Sequence, residues 1–206
     1  MKYNYRPEID GLRAIAVSAV IIYHAQIDVL NYRLFSGGYI GVDIFFVISG
    51  YLITLILLKE LKTKKKISFL YFYERRIRRI LPALLFMMMV CIPFAWIYLL
   101  PSSLVDFSKS LLYSIGFTSN IYFHYSGQEY GAQGGLFLPL LHTWSLSVEE
   151  QFYILFPAII FIAFNYFKEV YIYIFILAII ISIMFASRTV ETNSSIVFYF
   201  LQFRIW

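Results

Sequence analysis

The feature that most constrains this chain is a series of long apolar runs with almost no charge inside them. Gly38 to Leu58 contains a single charged residue, Asp43, and Leu81 to Leu100 contains none. In hydrocarbon every backbone N–H and C=O must find an internal partner, so runs of this kind form helices. About 20 residues cross the apolar core of a bilayer. On that basis Leu12–Leu30, Gly38–Leu58, Leu81–Leu100, Val148–Phe167 and Val170–Phe185 are expected spans, with a very tight Lys168-Glu169 link between the last two. The expected fold class is all-α, a polytopic transmembrane helix bundle.

Two further segments are less regular. Leu104 to Tyr125 carries Asp106, Lys109, Asn120 and His124, and reads equally as spanning, re-entrant or surface-lying. Ile196 begins another run that stops at Trp206, so the chain is expected to be a partial protein ending at the start of a further helix.

Composition agrees with this reading. Of 206 residues 61% are hydrophobic and 14% charged, against about a quarter charged in soluble chains. The net charge of +5 is concentrated, because nine of the 17 basic residues lie between Lys59 and Arg79. That localisation argues against nucleic acid as a partner and for a cytoplasmic loop under the positive-inside rule. The N-terminus, with Lys2 and Arg6, is then also cytoplasmic, and the turn at Asn31 to Gly37 faces outside. The first run follows Lys2, Arg6, Glu8, Asp10 and Arg13, and reads as a retained span rather than a cleaved leader. The lone Cys91 excludes an internal disulfide and any paired-cysteine metal motif, and no metal is expected.

Ionisable groups inside spans are costly and default to functional hypotheses. Arg13 and His24 are 11 residues apart in the first run, which returns them to within about 20° of one helix face, roughly 16 Å apart along the axis. Asp10 and Asp28 fall near that face. Arg13 could instead snorkel to headgroups, and His24 could make a structural hydrogen bond. Asp43, near the start of the second span, is expected at the depth of His24, where a carboxylate would orient the imidazole as a general base. Its alternative role is a helix cap.

Two polar motifs remain. In Glu74-Arg75-Arg76-Ile77-Arg78-Arg79 the arginines three apart share helix faces, pairing Arg76 with Arg79 and Arg75 with Arg78. Such forks suit phosphate, although four arginines at a span boundary also anchor topology and bind anionic membrane lipids. In His142-Thr143-Trp144-Ser145-Leu146-Ser147-Val148-Glu149-Glu150, Ser147 and Glu150 match a capping box. That gives Glu150 a structural role and leaves Glu149 and His142 as candidates for chemistry or as solvated loop residues.

Together these motifs carry a resemblance. Glu8-Ile9-Asp10-Gly11-Leu12-Arg13, His24, Gly38-Tyr39-Ile40-Gly41-Val42-Asp43-Ile44-Phe45-Phe46, Tyr73-Glu74-Arg75-Arg76-Ile77-Arg78-Arg79 and His142-Thr143-Trp144-Ser145-Leu146-Ser147-Val148-Glu149-Glu150-Gln151 occur in this order, and the chain resembles the acyltransferase 3 family of bacterial membrane O-acyltransferases. The resemblance implies transfer of an acyl group, commonly acetyl, from cytoplasmic acyl-coenzyme A (acyl-CoA) to a hydroxyl of a cell-surface carbohydrate or its lipid-linked precursor. It places the chain in the bacterial cytoplasmic (inner) membrane. It also puts the family's arginine–histidine motif on Arg13 and His24, and its arginine pair on Arg76 and Arg79. The expected roles are His24 as base or as brief carrier of the acyl group, Asp43 and Glu149 beside it in catalysis, and Arg13, Arg75, Arg76 and Arg79 on the cofactor. The competing readings are a transporter or flippase moving carbohydrate or lipid without chemistry, and an inactive transferase fragment.

Overall fold

The computed structural model describes residues 6–29, 32, 33, 35–126, 138–167 and 170–204. The expected Lys168-Glu169 link and part of the Asn31–Gly37 turn lie outside the described residues. In order, the elements are α1 (Pro7–Ala25), β1 (Asp28–Val29), β2 (Tyr32–Arg33), α2 (Ile40–Lys64), α3 (Phe69–Tyr98), α4 (Pro101–Ile115), α5 (Ser119–Tyr125), α6 (Thr143–Tyr166), α7 (Tyr171–Thr189), α8 (Ser194–Tyr199) and a 3-10 turn, Leu201–Phe203. The fold is an all-α membrane bundle, with a two-residue antiparallel pair between β1 and β2. Among the described residues four helices are long and apolar enough to cross a membrane: α2, α3, α6 and α7. The chain forms two compact units, residues 1–59 and 60–206.

In the first unit α1 begins at Pro7, whose missing N–H costs nothing in a first turn, and Glu8 and Asp10 complement the positive helix end. It stops five residues before the expected Leu30. Gln26 adopts a left-handed conformation, φ 49°, and its N–H donates to the Tyr23 carbonyl, closing the helix. Asp28 therefore belongs to β1 and not to the polar face of α1. The second helix and the turn before it meet α1 through two glycines, Gly41 and Gly38. A Cβ on Gly41 would come within 2.5 Å of the Ala16 carbonyl oxygen, and one on Gly38 would collide with that of Ala19. Ala16 is fully buried at this crossing. Small residues that let two backbones touch are the usual way to pack helices where lipid removes the hydrophobic drive.

The second unit is built on α3, whose 30 residues extend about 45 Å and continue through Pro82 and Pro93. Its arginines lie in its first three turns, not in a preceding loop. α6 runs antiparallel to α3: Phe69 packs on Phe161, ring centroids 6.0 Å apart, and the Tyr73 hydroxyl donates to the Ile154 carbonyl at 2.9 Å.

The ambiguous segment 104–125 is not one element. α4 starts two residues after α3 ends and packs back against it. Its 15 residues cover roughly 22 Å, short of the ~30 Å core. At Gly116–Thr118 the chain reverses, with Phe117 at φ 52° and Thr118 N–H donating to the Tyr113 carbonyl at 2.8 Å. α5 then returns alongside α4. The segment is thus a helical hairpin and not one continuous helix.

The tip of this helix pair is buried against the start of α6. Hydroxyls form a chain there: Ser114 Oγ to Thr143 Oγ1 at 2.8 Å, Thr143 Oγ1 to Ser119 Oγ at 3.0 Å, and Ser119 Oγ to Ser147 Oγ at 2.8 Å. Asn120, fully buried, donates to the Tyr199 carbonyl at 3.0 Å and accepts from Gln151 at 2.9 Å. The run from Ile196 does not extend as a helix among the described residues. α8 ends at Tyr199 because Phe200 turns extended, and Arg204 folds back so that its Nε donates to the Phe198 carbonyl at 3.1 Å.

Candidate functional site

In the first unit α1 presents Ala16, Ala19, Val20 and Tyr23 to α2. Counting about 100° per residue, Arg13 and His24 lie some 70–90° from that face, along one flank of the helix pair. Arg13 is half-buried and His24 exposed. The Nδ1 of His24 is 2.8 Å from the Val20 carbonyl. A carbonyl only accepts, so Nδ1 carries the proton and the imidazole lone pair resides on Nε2. The Tyr23 ring packs edge-on against the imidazole, centroids 5.2 Å apart.

Two expectations change here. His24 lies in the last turn of α1, not well inside a span reaching Leu30, because Gln26 ends the helix early. Asp43 does not share the depth of His24. The glycine contacts pair Gly38 with Ala19 and Tyr23, and Gly41 with Ala16 and Val20. That register puts Asp43 about 12 Å along the axis from His24, and about 200° around α2 from Gly41, on the face turned away from α1. The Val20 carbonyl holds the imidazole tautomer.

In the second unit the arginines divide by what they touch. Arg78 is committed to Glu74, with Nη2 2.8 Å from Oε1, so the expected Arg75–Arg78 fork does not form. The Arg75 guanidinium lies 5.5 Å over the Tyr71 ring. Arg76 is half-buried between Phe72 and Tyr153, its guanidinium 5.5 and 5.1 Å from the two ring centroids. Arg79, one turn on, is exposed and makes no hydrogen bond or ion pair with any described residue. The electrostatic neighbours of Arg76 are Tyr153, Arg79, Glu150 and Glu149. Arg76 and Arg79 thus keep their guanidinium edges for an anion, while aromatic faces hold Arg76 in place.

The two glutamates fall where α6 faces this cluster. The Tyr153 hydroxyl donates to Glu149 Oε1. Glu150 is 7% exposed, and its Oε1 is a buried atom without a hydrogen-bond partner among the described residues. The capping box is not formed. α6 begins at Thr143, four residues ahead of Ser147, so Ser147 lies inside the helix and accepts the Ser119 N–H at 3.2 Å instead. Glu150 was therefore hidden by a false structural assignment; the signal that could have found it was adjacency to Glu149 on an otherwise apolar helix. Tyr153 was missed because one aromatic among many carries no sequence signal. His142 is exposed at the residue preceding α6.

A separate cavity of about 430 Å³ opens between α4 and α5, lined in part by Asp106, Lys109, Tyr113 and Tyr122. Burial first, then the Asp106 charge and Tyr113, raises the Tyr122 hydroxyl above the ordinary phenol range.

A family model described as an acyltransferase domain, that of acyltransferase 3, matches residues 6–205. The chain is 42% identical over 165 residues to the O-acetyltransferase OatA of Staphylococcus aureus (strain NCTC 8325 / PS 47), covering 80% of this chain and 26% of that protein. Another S. aureus protein (strain MSSA476), also named for O-acetyltransferase activity, is 43% identical over 159 residues, 77% of this chain and 25% of its own length. The chain spans about a quarter of the length of the curated relatives it matches. No solved structure matches it.

Proposed function

The chain belongs to the acyltransferase 3 family, and from that premise we propose that it is a membrane O-acyltransferase moving an acyl group, acetyl first among them, from cytoplasmic acyl-CoA to a hydroxyl of an extracytoplasmic carbohydrate. The observation that carries this reading is the state of the α3 arginines. Of four in one cluster, only Arg78 forms an ion pair with a carboxylate among the described residues, while Arg76 is braced by aromatic rings with Glu149 and Glu150 near it, and Arg79 has no hydrogen-bond or ion-pair partner among them. A cluster that served topology alone would gain nothing from that division. A phosphate binder needs it.

Arg76 and Arg79 hold the phosphates of the donor at the cytoplasmic face, with Arg75 beside them, and the N-terminus lies on the same side of the cytoplasmic membrane. Arg13 binds the cofactor or a carboxylate on the flank it shares with His24. In the transfer step the acceptor hydroxyl oxygen attacks the thioester carbonyl. Its proton passes to His24 Nε2, the C–O bond forms, and the C–S bond breaks to give a thiolate that takes the proton back. The Val20 carbonyl keeps Nδ1 protonated, which makes Nε2 the basic nitrogen. Glu149 and Glu150 of α6, near Arg76 of α3, are the charged side chains of an otherwise uncharged helix, where ionisable groups default to a functional role.

The test has two arms. Calorimetric titration of acetyl-CoA into the purified protein should show binding that Arg76→Ala and Arg79→Ala each weaken; undiminished affinity would remove the phosphate assignment. Isotope-labelled acetyl should appear on carbohydrate with the unaltered protein and not with His24→Ala. Sugar that changes sides of the membrane without acquiring label would instead establish a transporter.

A further inference from the structure

The cavity between α4 and α5 takes no part in the reading above, and its lining has a definite chemistry. Tyr113 and Tyr122 stack with ring centroids 4.9 Å apart and planes 23° from parallel. Tyr122 is fixed from two sides: its hydroxyl donates to the Asp106 carbonyl at 3.2 Å, and the adjacent Phe123 is fully buried. Tyr113 remains 43% exposed. At the rim Asp106 Oδ1 and Lys109 Nζ are 3.5 Å apart, with side chains 57% and 55% exposed. The volume of about 430 Å³ lies in the ~300–1,000 Å³ range of small-molecule clefts.

A fixed aromatic platform beside one carboxylate and one ammonium suits a sugar ring. The C–H face of a pyranose lies on an aromatic plane, while its hydroxyls donate to the carboxylate and accept from the ammonium. The same charges count against other ligands. A coenzyme or nucleotide phosphate needs an excess of positive charge, and here the single lysine is offset by Asp106. An acyl chain would press hydrocarbon against an ion pair and desolvate it without recompense. The location also fits a second substrate. The closed tip of the α4–α5 pair meets α6 at Thr143 and Ser147, directly before Glu149 and Glu150.

We propose that the α4–α5 cleft is a saccharide-binding subsite for a neutral or amino-substituted pyranose, the acceptor of the acyl group. The word acceptor rests on the transferase reading; the binding of saccharide does not. Asp106 and Lys109 set ring orientation at the rim, and Tyr113 supplies the stacking face.

The experiment uses the whole chain in lipid nanodiscs, free of glycoside detergents. Neutral and amino-substituted methyl pyranosides and disaccharides are the probes, read by saturation-transfer NMR with titration. Binding is expected for at least one probe class, weakened roughly three- to ten-fold by Tyr113→Ala. Asp106→Asn, at an exposed rim position that the fold does not depend on, should weaken it as well while acetyl-CoA affinity stays unchanged. Saccharide binding insensitive to both substitutions, or none at all, overturns the cleft. Acyl transfer to carbohydrate by a protein in which both substitutions are silent would sink the cleft and leave the transferase standing. Saccharide binding with the expected losses, but without any acyl transfer, would do the reverse.

Discussion

One methyl group added at Gly41 should loosen the first two helices, and the size of the effect can be worked out beforehand. The new Cβ would lie 2.5 Å from the Ala16 carbonyl oxygen, 2.7 Å from Val20 Cγ2 and 3.3 Å from the Ala16 carbonyl carbon. An ordinary carbon–oxygen contact is about 3.3 Å, so the helices must part by nearly 1 Å. The obstacle is backbone and has no rotamer to turn into. Overpacking of this kind costs about 1–3 kcal/mol. Set against a return of ~1 kcal/mol of helix propensity for alanine, the net loss is up to about 2 kcal/mol, or up to roughly 8 °C in midpoint for a chain of this size.

Gly50, in the same helix, supplies the control. A Cβ there meets nothing within 4 Å, so Gly50→Ala should be neutral or stabilising by up to ~1 kcal/mol. Thermal unfolding in lipid nanodiscs, followed by circular dichroism, should therefore move the two variants in opposite directions. Equal midpoints for Gly41→Ala and Gly50→Ala would refute the close crossing and the register drawn from it, and with it the separation of Asp43 from His24.

Other outcomes follow from the second unit. Arg76→Ala should weaken acetyl-CoA binding by about ten- to a hundred-fold, the worth of a charge-assisted phosphate contact, whereas Arg78→Ala, whose guanidinium is already paired with Glu74, should change it less than about two-fold; calorimetry compares them. Glu150→Gln keeps the shape of a buried side chain whose Oε1 lacks a partner, so thermal stability should hold or rise while acyl transfer falls at least tenfold by radiolabel assay. Ser147→Ala leaves the Ser119 N–H without its acceptor and removes one of the two contacts of the Ser119 hydroxyl, which keeps Thr143; it should destabilise by about 1–3 kcal/mol in denaturant unfolding without lowering donor affinity.

The bundle was legible from charge-free runs, because a bilayer leaves backbone so few choices. α2, α3, α6 and α7 all overlap the expected spans, with ends displaced by a few residues to a few turns. What hydropathy could not resolve were helix ends and helix faces. α1 stops at Gln26 although apolar residues continue to Leu30, because a left-handed residue ends a helix whatever its neighbours' hydropathy. Asp43 lies opposite the α1 contact because Gly38 and Gly41, not the polar residues, fix which side of α2 faces α1. The arginine cluster could be read as a helix face, yet which arginines remain available depends on Glu74, Tyr71 and Tyr153, whose contacts no spacing rule supplies. The pattern at Ser147 and Glu150 failed for a related reason: serine followed three residues later by glutamate also occurs inside helices, and only the observed start at Thr143 separates the two cases.

Polar groups in the second unit sort by how completely they are satisfied, and that sorting separates scaffold from chemistry. Ser114, Ser119, Thr143, Ser147, Asn120 and Gln151 bond one another or backbone carbonyls where α4, α5, α6 and α8 converge. A network closed on itself holds elements in register and has little capacity left for a substrate. Glu150 is the opposite case, a buried carboxylate oxygen without a partner on the turn that follows that network. Stability alone would replace such a group, because an unsatisfied buried acceptor costs free energy that an apolar side chain would not. Its persistence near Arg76, whose guanidinium feels Glu150 and Glu149 but forms no ion pair with them, is explained if hydrogen-bond partners for both arrive with the substrates. The hydroxyl layer then fixes the position of α6, and the arginine–glutamate layer performs what that position makes available.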